Sequence, residues 1–387
     1  MSTPVSRLSR RFVPALALAA LVVPATAFGQ GLTLPPDGDN ERSTTTQQIG
    51  LVNVTVDYHS PDVHAPDGSD RRGKIWGDLV AWGMHQEAFG TCGSDCPWRG
   101  GANENTTLEV NYDVKVQGQP LPAGRYGLHF IPGKDEWTVV FSKNSTSWGS
   151  FFYDAQEDQL RVTAKPVKNE YREYLTYEFT VRKPTAATLA LEWEDLALPI
   201  EISVDDMDEL YIASIRRELR SNKGFDWQAW VQASAFCADK KKNLPEALAW
   251  AQYAVNPGNF IGEVNFRTLS NLARLQEANG KLVEAQASMD KAIHDPTATA
   301  LDLHQWGRRL LADKRPADAL KVFQLNAERN HGAWPTEVGL ARGYSAVGNY
   351  KEALKHAKAA LAQAPDDTNK KFLAKAVELL GQGKDIN

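Results

Sequence analysis

Cysteine is scarce, with three in 387 residues, and so is methionine, with four. Three thiols exclude a disulfide-rich scaffold, and a lone C-x₃-C with no second ligand pair does not make a zinc site, so no metal is expected. Cys92 and Cys96 enclose only Gly-Ser-Asp and are expected to bond to each other in an oxidising compartment. Cys237 sits alone in an apolar helical stretch, where a thiol packs as a small hydrophobe. An excess of positive charge is lacking as well. The formal charge is −5 and falls to −8 without the first thirty residues, which carry Arg7, Arg10 and Arg11 and no acid. Such a chain is a poor partner for nucleic acid. No G-x-S-x-G, no P-loop and no G-x-G-x-x-G after a strand occurs, so no cofactor is expected. Beyond the N-terminus no uncharged apolar run reaches membrane-spanning length.

The N-terminus carries what the rest lacks. Three arginines precede an uncharged run from Phe12 to Val23, and Ala25-Thr26-Ala27 or Ala27-Phe28-Gly29 offers small residues for a peptidase. This predicts a signal peptide over 1–29, cleaved near Ala27 or Gly29, and a periplasmic or extracellular mature protein with no membrane span. Residues 30–49, rich in Gly, Pro, Asp, Ser, Thr and Gln, read as a flexible lead-in.

From Leu51 the period becomes two. Val52, Val54, Val56 and Tyr58 alternate with polar residues, as do Leu108, Val110, Tyr112, Val114 and Val116. A turn over Gly118–Gly124 separates these from Tyr126, Leu128 and Phe130. Further runs follow at Trp137–Phe141, Leu160–Val167, Leu175–Val181, Leu189–Trp193 and Leu198–Val204. Eight to ten strands without a helical period predict an antiparallel sandwich or jelly-roll-like domain over 50–204.

The pattern changes at Asp205-Asp206-Met207-Asp208-Glu209, an acidic first turn, with Arg216, Arg217 and Arg220 completing a linker helix over 205–225. Over 226–387, Ala247, Ala285, Ala319 and Ala353 recur in similar x-[Glu/Asp]-Ala-[Leu/Gln] settings about every 34 residues. Leu340, Ala341, Tyr344, Gly348, Tyr350, Ala353, Ala360 and Pro365 fit one helix-turn-helix unit. This resembles the tetratricopeptide repeat. The preceding unit has Asn326 where a small residue is usual, and Lys370–Leu380 reads as a closing helix. A repeat array of this kind implies a docked protein partner. The first half resembles a bacterial secreted family known as domain of unknown function 2911. The matching stretches are Tyr58-His59-Ser60-Pro61, Ile75-Trp76-Gly77, Trp98 to Glu104, Leu121 to Tyr126, Trp137-Thr138-Val139 and Trp148-Gly149. That resemblance implies a fold but no established chemistry.

Two constellations compete for function. Trp98, Arg99, Asn103 and Glu104, with Trp148, combine an apolar platform with donors and an acceptor, which suits a glycan or peptide site. The same residues also suit a hydrogen-bonded loop holding strands in register with Trp98 in the core. Alternatively, Glu104 with Glu192 or Glu194 would form a hydrolytic carboxylate pair. His59, His64, His85 and His129 show no metal-ligand spacing. Trp227, Trp230, Trp250, Trp306 and Trp334 either pack between repeats or line a peptide groove. The balance favours an exported, non-catalytic binding and scaffold protein.

Overall fold

The computed structural model of the chain describes residues 40–387. The expected signal peptide and the first part of the lead-in lie outside the described residues. Among the described residues ten strands come first: β1 (Glu41–Ile49), β2 (Val52–Ser60), β3 (Thr107–Val110), β4 (Val114–Val116), β5 (Gln119–Leu121), β6 (Gly124–Ile131), β7 (Trp137–Ser142), β8 (Asp158–Ala164), β9 (Val167–Lys183) and β10 (Ala186–Ser203). They form two antiparallel sheets, one ordered β1-β2-β3-β6-β7-β8 and the other β5-β4-β10-β9. The sheets close over one apolar core in which Trp137, Phe130, Leu128, Val56, Leu175 and Leu191 are fully buried. Each strand supplies one face, because alternate side chains of a strand point to opposite sides.

Three parts differ from what the sequence pattern predicts. The alternating run Leu108–Val116 is split between β3 of one sheet and β4 of the other, and the turn expected over Gly118–Gly124 holds β5. Residues 41–49 are a strand rather than lead-in, paired with β2 along its whole length from Ile49↔Val52 to Glu41↔Ser60. An edge strand needs no apolar face, and the threonine run suits extended backbone, so its polar composition conceals it. The runs Leu189–Trp193 and Leu198–Val204 are one strand, β10, interrupted in register by bulges around Glu194, which has φ +53°. An extra residue shifts the alternation and splits one strand into two apparent ones.

Ten helices follow: α1 (Met207–Glu218), α2 (Trp227–Lys240), α3 (Leu244–Val255), α4 (Phe266–Ala278), α5 (Leu282–His294), α6 (Ala300–Ala312), α7 (Pro316–Asn330), α8 (Trp334–Ala346), α9 (Tyr350–Ala362) and α10 (Asp367–Gly381). From α2 they pack as successive pairs. The repeated Ala247, Ala319 and Ala353 are fully buried, and Ala285 partly, where a larger side chain would hold paired helices apart. Asn326 is also buried, and its amide donates to Ala300 O at 2.8 Å and accepts from Asn330 at 2.9 Å. A polar side chain is tolerated there because both its donor and its acceptor are used. Asn265 caps α4 reciprocally with Thr268, each side chain accepting from the other's amide at 2.9 and 3.1 Å. Replacing Asn265 by Ala is expected to cost about 1 kcal/mol, measured as a lower urea midpoint by far-UV circular dichroism.

Helix α1 touches both halves. Met207 and Leu210 pack on the sandwich core, while Ile212, fully buried, joins the core of α2 and α3. Lys115–Asp205 at 2.7 Å and Arg217 Nη2 donating to Tyr112 Oη at 2.9 Å tie it to the strands. Arg216–Glu246 at 2.7 Å and Lys240–Asp208 at 2.8 Å tie it to the helices.

Candidate functional site

The loop from Trp98 to Asn105 is shaped by its backbone. Trp98 pairs with Phe130 of β6 through two bonds of 2.7 and 2.8 Å, extending the sheet past β3. Gly100 has φ +68°, and a Cβ there would lie 2.5 Å from the Phe130 ring and 2.7 Å from Tyr177 Oη. Only glycine fits. Its carbonyl accepts from Tyr177 Oη at 2.8 Å and Thr106 Oγ1 at 3.1 Å, and the Ala102 amide donates to His59 O at 3.1 Å. The register-holding reading of this loop is therefore part of what the residues do. Trp98 extends a tryptophan cluster, stacking on Trp193 with centroids 6.4 Å apart and meeting Trp76 and Trp137 edge to face at 5.9 and 6.2 Å.

The same loop forms one wall of a cleft of about 540 Å³. Trp98, Arg99 and Asn103 line it together with Trp193, Ser150 and the segment from Asp78 to Ala81. Leu79, Trp82, Phe89 and Phe152 are exposed apolar groups in the segments around it. Arg99 is half-buried, donates to Asn103 O at 2.8 Å and lies over the Phe151 ring at 5.0 Å. Burial pushes its guanidinium below the ordinary arginine value, partly offset by Glu87.

Behind this wall lies a buried polar chain. His129 of β6, 2% exposed, has Nδ1 2.9 Å from Ser150 Oγ and Nε2 3.3 Å from Asn105 Nδ2. Among the described residues Asn105 Oδ1 is buried with no hydrogen-bond partner. Exchanging the two ends of the Asn105 amide puts Oδ1 on a His129 Nε2–H, and Nδ1 then accepts from Ser150. Burial, and secondarily the Arg99 charge, hold the imidazole neutral by lowering its pKa to about 3. Sequence spacing gave no sign of this chain.

Glu104 and Trp148 are not brought to the cleft. Glu104 is exposed, pairs with His59 at 3.3 Å and lines a separate cavity of about 160 Å³ with Arg42, Asp57 and Arg125. Trp148 is 54% exposed and lines neither cavity. The carboxylate pair is not assembled either. Glu192 faces Arg172 at 2.9 Å, Glu194 accepts from the Gly73 amide, and neither lines the cavity that holds Glu104. Glu104 leads into β3 of one sheet, whereas Glu192 and Glu194 belong to β10 of the other. Among the other histidines, His64 meets Glu173 at 2.9 Å and His85 meets Glu87 at 3.0 Å. Among the described residues no three His, Cys, Asp or Glu side chains converge as a metal site. Cys92 and Cys96 are bonded, and Cys237 is buried, its thiol pushed up to about 11 by burial.

In the helical half, α2, α4 and α6 line a groove of about 430 Å³ with Phe266, Arg267, Asn271, Arg274, Trp306 and Arg309. Trp306 thus belongs to both readings, packing on the core and lining the groove. Trp250 is buried in the core of α2 and α3, and Trp230 and Trp334 pack against apolar cores.

Together these define a protein with an antiparallel strand domain carrying a lined cleft, followed by a helical repeat array with a lined groove. Residues 40–202 match the family described as "Protein of unknown function (DUF2911)", and residues 338–371 match the tetratricopeptide repeat. The chain thus carries a DUF2911 domain followed by tetratricopeptide-like repeats. Among solved structures, YrrB, described as a TPR protein with an unusual peptide-binding site, is 16% identical with a TM-score of 0.31, covering 44% of this chain and 86% of its own. MamA is 14% identical with a TM-score of 0.31, covering 44% and 92%. A tetratricopeptide repeat protein from Parabacteroides merdae ATCC 43184 is 19% identical with a TM-score of 0.32, covering 46% and 65%. No curated protein matches the chain. No helix among the described residues is long and apolar enough to cross a membrane.

Proposed function

We propose that this is an exported, non-catalytic scaffold in which the helical array holds a protein partner and the strand domain holds a glycan or peptide ligand in the cleft at Trp98, Arg99 and Asn103. Export is supported by the basic and apolar N-terminus together with the Cys92–Cys96 bond, since such bonds persist in oxidising compartments. The observation that carries the docking half is the groove across α2, α4 and α6, where arginines and aromatic residues, the side chains enriched at binding hot spots, stand together. Arg274 is braced by Asp239, and Arg309 by Glu277 at 2.7 Å, so each is held in place before a partner arrives.

A photo-crosslinking residue at Gln305, exposed on α6 in the groove, tests this. Expression in the native host should yield a discrete crosslinked protein. Arg267→Glu with Arg309→Glu is expected to lower its capture at least tenfold, the loss of one hot spot being about 2 kcal/mol. Lys375→Glu on α10 should leave capture intact. Equal capture by both variants removes the groove from the proposal.

A further inference from the structure

We infer that the cleft of the strand domain takes a ligand through a carboxylate held by Arg99. The inference rests on the reading of that cleft as a ligand site and adds the chemistry of what enters. Arg99 lines the cleft of about 540 Å³, and no ion pair joins it to a carboxylate among the described residues. Its only hydrogen bond there goes to a neutral carbonyl, Asn103 O, which leaves most of a five-donor group unused. The other side chains that hold it are apolar or absent: the Phe151 ring on one side, and Gly149, where a Cβ would lie 2.5 Å from the guanidinium carbon. A half-buried cation fixed in this way is costly unless something negative completes it.

A second donor stands in the same wall. Trp193 lines the cleft, is 1% exposed, and its indole N–H has no partner among the described residues. Two residues with unused donors thus line one cavity, which calls for an acceptor.

The size of the charge follows from the neighbours. Asp78 and Glu87 also line the cleft, with Glu87 engaged by His85 at 3.0 Å. A doubly charged phosphate would meet both carboxylates. A single planar charge matches one planar guanidinium fork, which grips carboxylate oxygens in pairs. The body of the ligand then has the apolar side of the cleft, Leu79, Val80 and Pro97, to lie against.

Matched pairs of probes test this on the full chain: N-acetyl-phenylalanine against its amide, and glucuronate against glucose, by calorimetry and thermal shift. In at least one pair the acid should bind roughly tenfold to a hundredfold tighter than its neutral twin, as for loss of a charge-assisted hydrogen bond. Arg99→Gln should erase that preference, and Arg99→Lys should keep part of it. Fluorescence of the tryptophan cluster reports whether each variant retains its fold. Equal binding of acid and neutral forms, or a preference that survives in a folded Arg99→Gln, overturns the carboxylate. If that equal binding is lost in Trp98→Ala, the cleft stands as a ligand site and only its charge preference falls. No binding by any of the four probes at millimolar concentration removes both.

Discussion

Below pH 6.5 the strand domain is expected to lose stability steadily, and His129 is the reason. Its imidazole is buried with a pKa near 3, against an ordinary value of 6.5, because burial and Arg99 disfavour the charged form. Between those two values the unfolded chain binds the proton and the folded chain does not, so acid favours unfolding. The contribution is intact above about pH 6.5 and falls by roughly 1.4 kcal/mol per pH unit, reaching on the order of 3 kcal/mol at pH 4. Carboxylates with lowered pKa values, such as Asp57 and Asp70, add their own loss only as pH falls toward and below the ordinary carboxyl value of 3.8. Urea midpoints read from the fluorescence of Trp76, Trp98, Trp137 and Trp193 should shift between pH 7 and pH 4.5 in the natural chain. They should shift much less in His129→Gln. An equal slope in both would show that the proton goes elsewhere. His304, lowered to about 4 by burial and by Arg342, predicts a parallel effect in the helical array.

Phe323→Ala is expected to be the most damaging single truncation in the helical array, at about 3–5 kcal/mol. The ring of Phe323 is fully buried between α6, α7 and α8, and three glycines make room for it. A Cβ at Gly307, Gly339 or Gly343 would lie 2.3, 2.5 or 2.8 Å from the ring. The walls of the hole left behind are helix backbone, which cannot fold inward as side chains do, so little of the cavity closes. Thermal melting followed at the helical signal measures it. A loss below about 1 kcal/mol would show that the helices do collapse onto each other. Gly339→Ala, which overfills the same space, should destabilise as well.

What the sequence makes legible follows from how local each signal is. The alternation in β2, β3 and β6 and the recurring alanines of the array are carried by neighbours in the chain, and the structure places them as the spacing predicts. Trp98, Arg99 and Asn103 are close in sequence and meet in one cleft. Glu104, one residue on, leaves it, because the chain there is already extending toward β3. His129, Ser150 and Asn105 are joined only by the fold, being 21 and 24 residues apart, so no spacing reveals them. Strand β1 escapes for a different reason: pairing with β2 needs backbone and not apolar side chains.

Helix α1 gives the chain no clean place to be cut. Its Met207 and Leu210 are rooted in one oily interior and its Ile212 in another. Separating the halves at Asp205 hands the strand piece an uncovered greasy spot, and cutting after Leu219 does the same to the helices. Whichever fragment goes without α1 should clump at concentrations where the intact protein stays dispersed, and a tug on the helical array would be felt at the strand domain's own sheets rather than absorbed by a slack tether.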